Sequence, residues 1–145
     1  MSSGRRSARR QAAFVLYQQD LLELTPQAAL QRVDDAELDR YARELVLGTA
    51  AHLEAIDGLL EQHVAGWRLE RLGVLERSIL RLATYEMLWE VEVPDAVIID
   101  EAVELAKRFC SVEAGSLVNG ILGSLAVSET ARAGETPPGA ARDDQ

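Results

Sequence analysis

Residues 69–109 read LERLGVLERSILRLATYEMLWEVEVPDAVIIDEAVELAKRF. In this stretch the apolar residues recur every three or four positions, which is the spacing of one face of an α-helix. The residue before a proline is disfavoured in helical geometry, whereas proline itself suits a helix start, so Val93-Pro94 separates two helices. The stretch therefore predicts one helix from Val74 to Trp89 and a second from Pro94 to Phe109.

Helical periodicity continues on both sides of this stretch. No run alternates with the period of a β-strand for long, and Thr25-Pro26 offers an N-cap followed by a first-turn proline. We therefore predict an all-α fold of about seven helical segments in a single domain. Besides the two helices above, the segments cover residues 5–22, 26–33, 34–64 and 113–126 with a helical turn near 67–69, and Gly115, Gly120 and Gly123 predict close approach of a neighbouring helix to the last of them.

Composition sets the limits of the domain. The chain has 145 residues, and its last part, 128–145, is rich in Gly, Pro, Thr and Glu, which favours a disordered tail. We expect residues 1–4 to be flexible and residues 5–127 to form the helical domain. The single cysteine, Cys110, excludes an internal disulfide and favours a reducing compartment, by default the cytoplasm. No apolar run is long enough to span a membrane, and no membrane partner is expected.

A cluster of positive charge begins the chain. Arg5, Arg6, Arg9 and Arg10 occur with no acidic residue among the first thirteen, although the chain has a formal net charge of −9. Their spacing of i, i+1, i+4 and i+5 places them on one side of a helix. Because an acidic protein repels polyanions elsewhere, this cluster predicts a local site for an anionic partner such as a nucleic acid.

The residues needed for catalysis or metal binding are missing. His52 and His63 lie eleven positions apart on a predicted helix, about 16 Å by the helix rise, and cannot share one metal ion. Cys110 follows a helix C-terminus, where a thiolate is disfavoured. Glycines near residue 115 form neither a P-loop nor a dinucleotide fingerprint. The sequence therefore predicts a binding protein without cofactor or metal, not an enzyme.

Four motifs together carry a family resemblance. They are RRSARRQAAFVLYQ at 5–18, LERLGVLERSILRLATYEM at 69–87, VPDAVIIDEAVELAKRF at 93–109 and SLVNGILG at 116–123. In this order and spacing the chain resembles the NusB family of bacterial transcription antitermination factors, from residue 5 to about residue 126. The resemblance implies seven helices in two packed subbundles. It also implies binding of single-stranded boxA RNA from ribosomal RNA leader transcripts together with NusE, a small-subunit ribosomal protein, in a complex with NusA, NusG and RNA polymerase.

The resemblance also implies roles for individual residues. Phe109 would provide a stacking surface for a base if it is exposed and would belong to the core if it is buried. We expect alanine at both Arg6 and Arg9 to weaken RNA binding without loss of stability. The implied RNA-binding residues are Arg5, Arg6, Arg9, Arg81, Lys107 and Phe109, with Arg10 as an additional cation, and the implied contacts with the protein partner are Tyr17, Leu21 and Glu76.

Three positions depart from the family pattern. Cys110 replaces a usual glycine, Ala114 a common serine and Leu117 a frequent phenylalanine. Losing the aromatic ring at 117 predicts weaker RNA binding or greater dependence on the partner. Two other functions stay open, namely a helical protein-interaction module without RNA binding and a relative of the NusB-like domain of RNA cytosine methyltransferases, which needs a further catalytic domain. A homodimer that covers the RNA-binding face also stays open.

Overall fold

Helices account for all the regular secondary structure of the described residues. The computed structural model describes residues 3–64, 68–90 and 92–135. Within these ranges the all-α prediction is confirmed, with seven α-helices and one 3₁₀ turn. They are α1 (Ser3–Leu21), α2 (Pro26–Leu30), α3 (Arg40–Ala51), α4 (Leu53–Glu61), the 3₁₀ turn Leu69–Arg71, α5 (Val74–Trp89), α6 (Asp95–Phe109) and α7 (Val112–Glu135).

Helix α5 lies at the centre of the fold. It packs against α1, α3, α4, α6 and α7, and its buried residues include Ile79, Leu80 and Leu82. The remaining contacts define two subbundles, because α1, α2 and α3 contact one another whereas α7 contacts α4 and α6. This confirms the predicted architecture. Burial on so many sides makes α5 the part of the fold whose side chains are least available to a partner.

The predicted helix over residues 34–64 is wrong at its start. Asp34 Oδ1 accepts a hydrogen bond from the backbone N–H of Ala36 at 3.1 Å. Such local bonds from Asp side chains compete with helix formation. Helix α3 instead begins after Asp39, whose carboxylate accepts a hydrogen bond from the Tyr41 N–H at 2.7 Å and caps the helix.

The same predicted helix is also interrupted at His52. Its backbone angles, φ −112° and ψ 20°, separate α3 from α4. The His52 ring stacks on Trp89 with 4.2 Å between ring centroids, and Tyr85 continues the stack at 5.7 Å from Trp89. A Cβ atom at Gly48 would overlap the Tyr85 ring, so glycine is required for this approach of α3 to α5. These contacts are tertiary, which is why helical periodicity alone does not predict the break.

Both ends of the predicted domain extend further as helix. Helix α1 begins at Ser3, and α7 continues to Glu135, so residues 3–4 and 128–135 are helical. A polar segment can extend an already packed helix because elongation costs far less free energy than nucleation. The rest of the predicted tail, residues 136–145, and residues 65–67 of the predicted turn lie outside the described residues.

The glycines of α7 behave differently from one another. A Cβ atom at Gly115 would overlap the Lys107 side chain, so this glycine permits close approach of α6. At Gly120 and Gly123 a Cβ atom would meet no described atom within 4 Å. The prediction of close packing is therefore confirmed at Gly115 and wrong at the other two positions.

Candidate nucleic-acid interface

Helix α1 directs its arginines to different surroundings. At about 100° per residue, Arg9 lies between Arg5 and Arg6 around the helix axis. The Arg5 guanidinium lies over the Tyr41 ring of α3, 4.3 Å from its centroid. Arg6 Nε lies 3.1 Å from a carboxylate oxygen of Glu101 on α6. Arg9, between these two, points into the interior.

Arg9 is part of a buried hydrogen-bond network. The residue is only 2% exposed, and its Nε donates to Glu86 Oε1 at 2.7 Å. The Tyr41 hydroxyl donates to the other Glu86 oxygen at 2.8 Å. Burial, with a smaller contribution from the hydrogen bond to Glu86, raises the pKa of Tyr41 well above its ordinary value. A side chain in this position cannot reach a phosphate, so we replace the predicted RNA contact of Arg9 by a structural role.

Arg81 belongs to a second network. Its Nε and Nη2 each donate to Asp57 at 2.8 Å, and its Nη1 donates to Asp20 at 3.2 Å. Arg77 shares Asp20 through a 2.7 Å contact. The Arg81 side chain is 16% exposed, and its donors already face carboxylates on α1 and α4. These contacts give Arg81 a structural role, since it ties these helices to α5, and its contact with RNA stays a prediction.

Two arginines line a groove beside α1. This basic groove has a volume of about 400 Å³, and it brings Arg10 of α1 next to Arg32, which follows α2. Arg32 Nε donates to Gln18 Oε1 at 3.0 Å. Among the described residues, no carboxylate lines it. Sequence reasoning missed Arg32 because it is an isolated cation, and only the fold places it near Arg10. The lining residues are Ser7, Arg10, Gln11, Phe14, Val15, Gln18, Arg32 and Val33.

An aromatic pair adjoins the basic groove. Phe14, which lines the groove, meets Phe109 edge-to-face with 4.9 Å between ring centroids. Phe109 is 37% exposed and therefore offers part of its ring to a partner. The Arg108 guanidinium lies 5.3 Å from its centroid, and the half-exposed Lys107 lies 3.7 Å from Glu104. Phe14 was missed because its spacing on α1 resembles that of a core residue.

The predicted partner residues are placed as follows. Leu21 is exposed at the end of α1, and Tyr17 is half-buried one turn earlier. Glu76 Oε1 accepts a hydrogen bond from the Gly73 N–H at 3.0 Å and so caps α5. Glu76 thus has a structural role, and its contact with a protein partner stays a prediction.

Glu76 also affects Cys110. Burial, with a smaller contribution from Glu76, raises the pKa of the Cys110 thiol.

Both histidines make structural contacts. His52 stacks on Trp89, and His63 Nδ1 lies 2.8 Å from Ser124 Oγ. In the described part of the chain, no three His, Cys, Asp or Glu side chains are grouped to hold a metal ion. No helix there has the length and apolar character needed to cross a membrane.

Comparison with known proteins assigns the chain to a family. A sequence model described as the NusB family matches residues 6–127. The chain belongs to the NusB family. The transcription antitermination protein NusB of Exiguobacterium sp. (strain ATCC BAA-1283 / AT1b) is 46% identical over 122 residues, which are 83% of this chain and 95% of that protein. This relative is named as an antitermination protein, not as an enzyme.

Solved NusB structures share the fold. NusB of T. maritima superposes with a TM-score of 0.78 at 37% identity, covering 87% of this chain and 92% of that one. A chain from a crystal structure of antitermination factors NusB and NusE in complex with dsRNA gives a TM-score of 0.75 at 30% identity, covering 86% and 97% of the two chains. The family resemblance and the two-subbundle fold are thus confirmed.

Proposed function

We propose that this chain is a transcription antitermination factor that binds the boxA segment of ribosomal RNA leader transcripts together with NusE. It acts in the cytoplasm within a larger complex that contains NusA, NusG and RNA polymerase. The antitermination names of its relatives support this proposal, as does the solved complex of a related NusB with NusE and RNA.

The RNA site consists of the basic groove and the aromatic pair. Arg10 and Arg32 supply guanidinium groups for phosphates, and the exposed part of Phe109 supplies a surface for base stacking. The observation that carries the proposal is this groove without a lining carboxylate, next to an exposed ring, on a chain of net charge −9. On the rest of the protein surface, the excess negative charge disfavours binding of a polyanion.

Further cations lie at the edge of this site. The exposed Arg6 side chain contacts Glu101, whose side chain is 13% exposed, and Lys107 contacts the exposed Glu104. An exposed pair such as Lys107–Glu104 contributes only about 0–1 kcal/mol, so a phosphate can replace its carboxylate at small cost. Arg5 already lies over the Tyr41 ring with its position fixed, which lowers the entropy lost when it binds RNA.

The surface for NusE lies at the far end of α1. Leu21 and Leu22 are both large, apolar and exposed, and Tyr17 lies one turn before Leu21. Exposed apolar side chains that adjoin one another are typical of protein interfaces. Glu76 is proposed as a polar contact of the same partner. Because RNA and NusE would contact opposite ends of α1, both can bind at the same time.

The decisive experiment is a fluorescence-anisotropy titration with and without NusE. The ligands are single-stranded boxA RNA, a scrambled RNA and a boxA duplex, since the related complex contains double-stranded RNA. We expect tighter binding of boxA than of the scrambled RNA, and a further gain with NusE. Equal binding of both sequences, or no binding, would instead favour a helical protein-interaction module.

Variants locate the binding site. We expect Arg10→Ala with Arg32→Ala to weaken boxA binding about tenfold, the equivalent of about 1.4 kcal/mol for two phosphate contacts. Arg71→Ala removes an exposed arginine from the 3₁₀ turn and is the matched control, with unchanged affinity. If both variants bind RNA like the unmodified chain, the basic groove is not the RNA site.

A further inference from the structure

A cleft of about 160 Å³ lies between α1, α3, α4 and α5. Its α1 residues include Leu16 and Gln19, which lie on the side of the helix opposite Phe14 and the basic groove when residues are placed at about 100° each. The cleft is therefore separate from the proposed RNA site, and the inference drawn from it is independent of RNA binding.

Two polar oxygens in this cleft lack partners. Thr49 Oγ1 and Gln19 Oε1 are both buried and make no hydrogen bond with any described atom. Thr49 as a whole is only 1% exposed, and both residues line the cleft. Buried polar atoms without partners are rare because leaving them unsatisfied is costly. A ligand or water that donates hydrogen bonds would satisfy both oxygens.

Glu23 at the cleft has an unusual backbone conformation. Its φ of 55° is left-handed, a conformation that glycine adopts most readily at a helix C-terminus. The Leu24 N–H donates to the Gln19 carbonyl at 2.9 Å, which completes the helix end around it. Residues in such sparsely populated backbone conformations cluster at functional sites. The Glu23 side chain lines the cleft, and we take its conformation as support for a function there.

The charges around the cleft leave one carboxylate in excess. Arg77 and Arg81 are matched by Asp20 and Asp57 in the ion-pair network. No ion pair joins Glu23 to any residue within the described ranges, so its negative charge is not balanced locally. A ligand with a single positive charge would neutralise it.

We propose that this cleft binds a protonated primary amine carried on a short aliphatic chain. An ammonium group has three hydrogen-bond donors and no acceptor, which matches the Glu23 carboxylate, Gln19 Oε1 and Thr49 Oγ1. Leu16 and Leu53 in the wall provide apolar surface for the aliphatic chain. The amine belongs either to a free small molecule or to a lysine side chain of another protein.

The test is an NMR titration of the full chain with n-butylammonium chloride. We expect saturable shifts of the Thr49 and Gln19 backbone amide signals, and none with 1-butanol or with sodium chloride at equal concentration. Equal shifts with 1-butanol, or a response that never saturates, would overturn the proposal. A parallel titration with N-acetyl-lysine methylamide separates the sources, because tighter binding than n-butylammonium indicates a protein side chain and weaker binding a free amine.

Two variants with one control test the residues. Glu23→Gln is expected to weaken butylammonium binding about three- to fivefold, while Glu92→Gln, an exposed carboxylate outside the cleft, leaves it unchanged. Thr49→Val is expected to weaken binding and to raise Tm, because it removes the unsatisfied hydroxyl. Unchanged affinity in both cleft variants would overturn the proposal, whatever the change in Tm.

Discussion

Two neighbouring arginines of α1 show how differently one basic motif is used. The Arg9 side chain is 3% exposed and bonded to a buried carboxylate, whereas the Arg6 side chain is 64% exposed and pairs with Glu101 at the surface. One turn of the same helix thus contributes both to the core and to a basic surface. The comparison teaches that one motif can place one arginine in the core and another at the surface.

The largest effect is expected from breaking the buried pair. Arg9→Ala would leave the Glu86 carboxylate in the interior with only the Tyr41 hydroxyl as a described partner, and the free energy of unfolding should fall by about 3–5 kcal/mol. Urea unfolding followed by circular dichroism measures this loss. Arg6→Ala is the matched control on the same helix, with a change below about 0.5 kcal/mol.

A double variant shows what the buried charge contributes. If Arg9→Met with Glu86→Leu recovers most of the stability lost in Arg9→Ala, the loss comes from the unpaired carboxylate and not from the missing arginine itself. A similar loss of stability in Arg6→Ala and Arg9→Ala would contradict the distinction between the two residues.

A smaller loss is expected in the second network. Arg81→Ala removes two contacts to Asp57 and one to Asp20, but Arg77 remains bonded to Asp20. Because these groups are only partly buried, water can solvate the carboxylates left behind, and the expected loss is about 2 kcal/mol. Urea unfolding provides the measurement. RNA affinity, normalised to the folded fraction, tests the predicted RNA contact of Arg81: a tenfold loss would support it, and an unchanged affinity would leave Arg81 with the structural role alone.

The smallest effect is expected at Tyr41, which donates a hydrogen bond to Glu86, the partner of Arg9, and whose ring lies under the Arg5 guanidinium. Tyr41→Phe removes the hydrogen bond to Glu86 and should cost about 1.5 kcal/mol at neutral pH. Because the pKa of Tyr41 is raised in the folded state, its contribution is complete below its unfolded value near pH 10 and is lost as pH rises through the higher folded value. Stability measured from pH 8 to 11 should therefore fall more steeply in the unmodified chain than in Tyr41→Phe, and parallel curves would contradict this.

Local sequence features predicted the parts of the fold that local forces determine. The helix over Val74–Trp89 has the predicted ends, and the Thr25 side chain caps α2 as its sequence indicates. The break at His52, whose ring stacks on Trp89 of another helix, was not predicted. A periodic pattern specifies which face of a helix is buried, but it does not specify which distant side chain that helix will contact.

The candidate site was predicted less completely than the fold. The four arginines were correctly placed on a helix, but their spacing gave no sign that Arg9 has a buried carboxylate partner on α5. Arg32 joins the basic groove only because α2 returns against α1. The sequence thus locates charge along the chain, while the tertiary partners determine which charges remain available. The sequence led us to expect that alanine at Arg6 and Arg9 leaves stability unchanged, whereas the buried bond of Arg9 to Glu86 predicts a loss at Arg9.

The buried position of Arg9 also affects how RNA binding should depend on ionic strength. An arginine that neutralises a phosphate of single-stranded RNA lets about 0.7 of a condensed counterion return to solution. Arg9 keeps Glu86 as its counter-charge whether or not RNA is bound, so it releases none. A count of the arginines in the motif therefore includes one that neutralises no phosphate. The predicted slope of log K against log salt is then too steep by about 0.7.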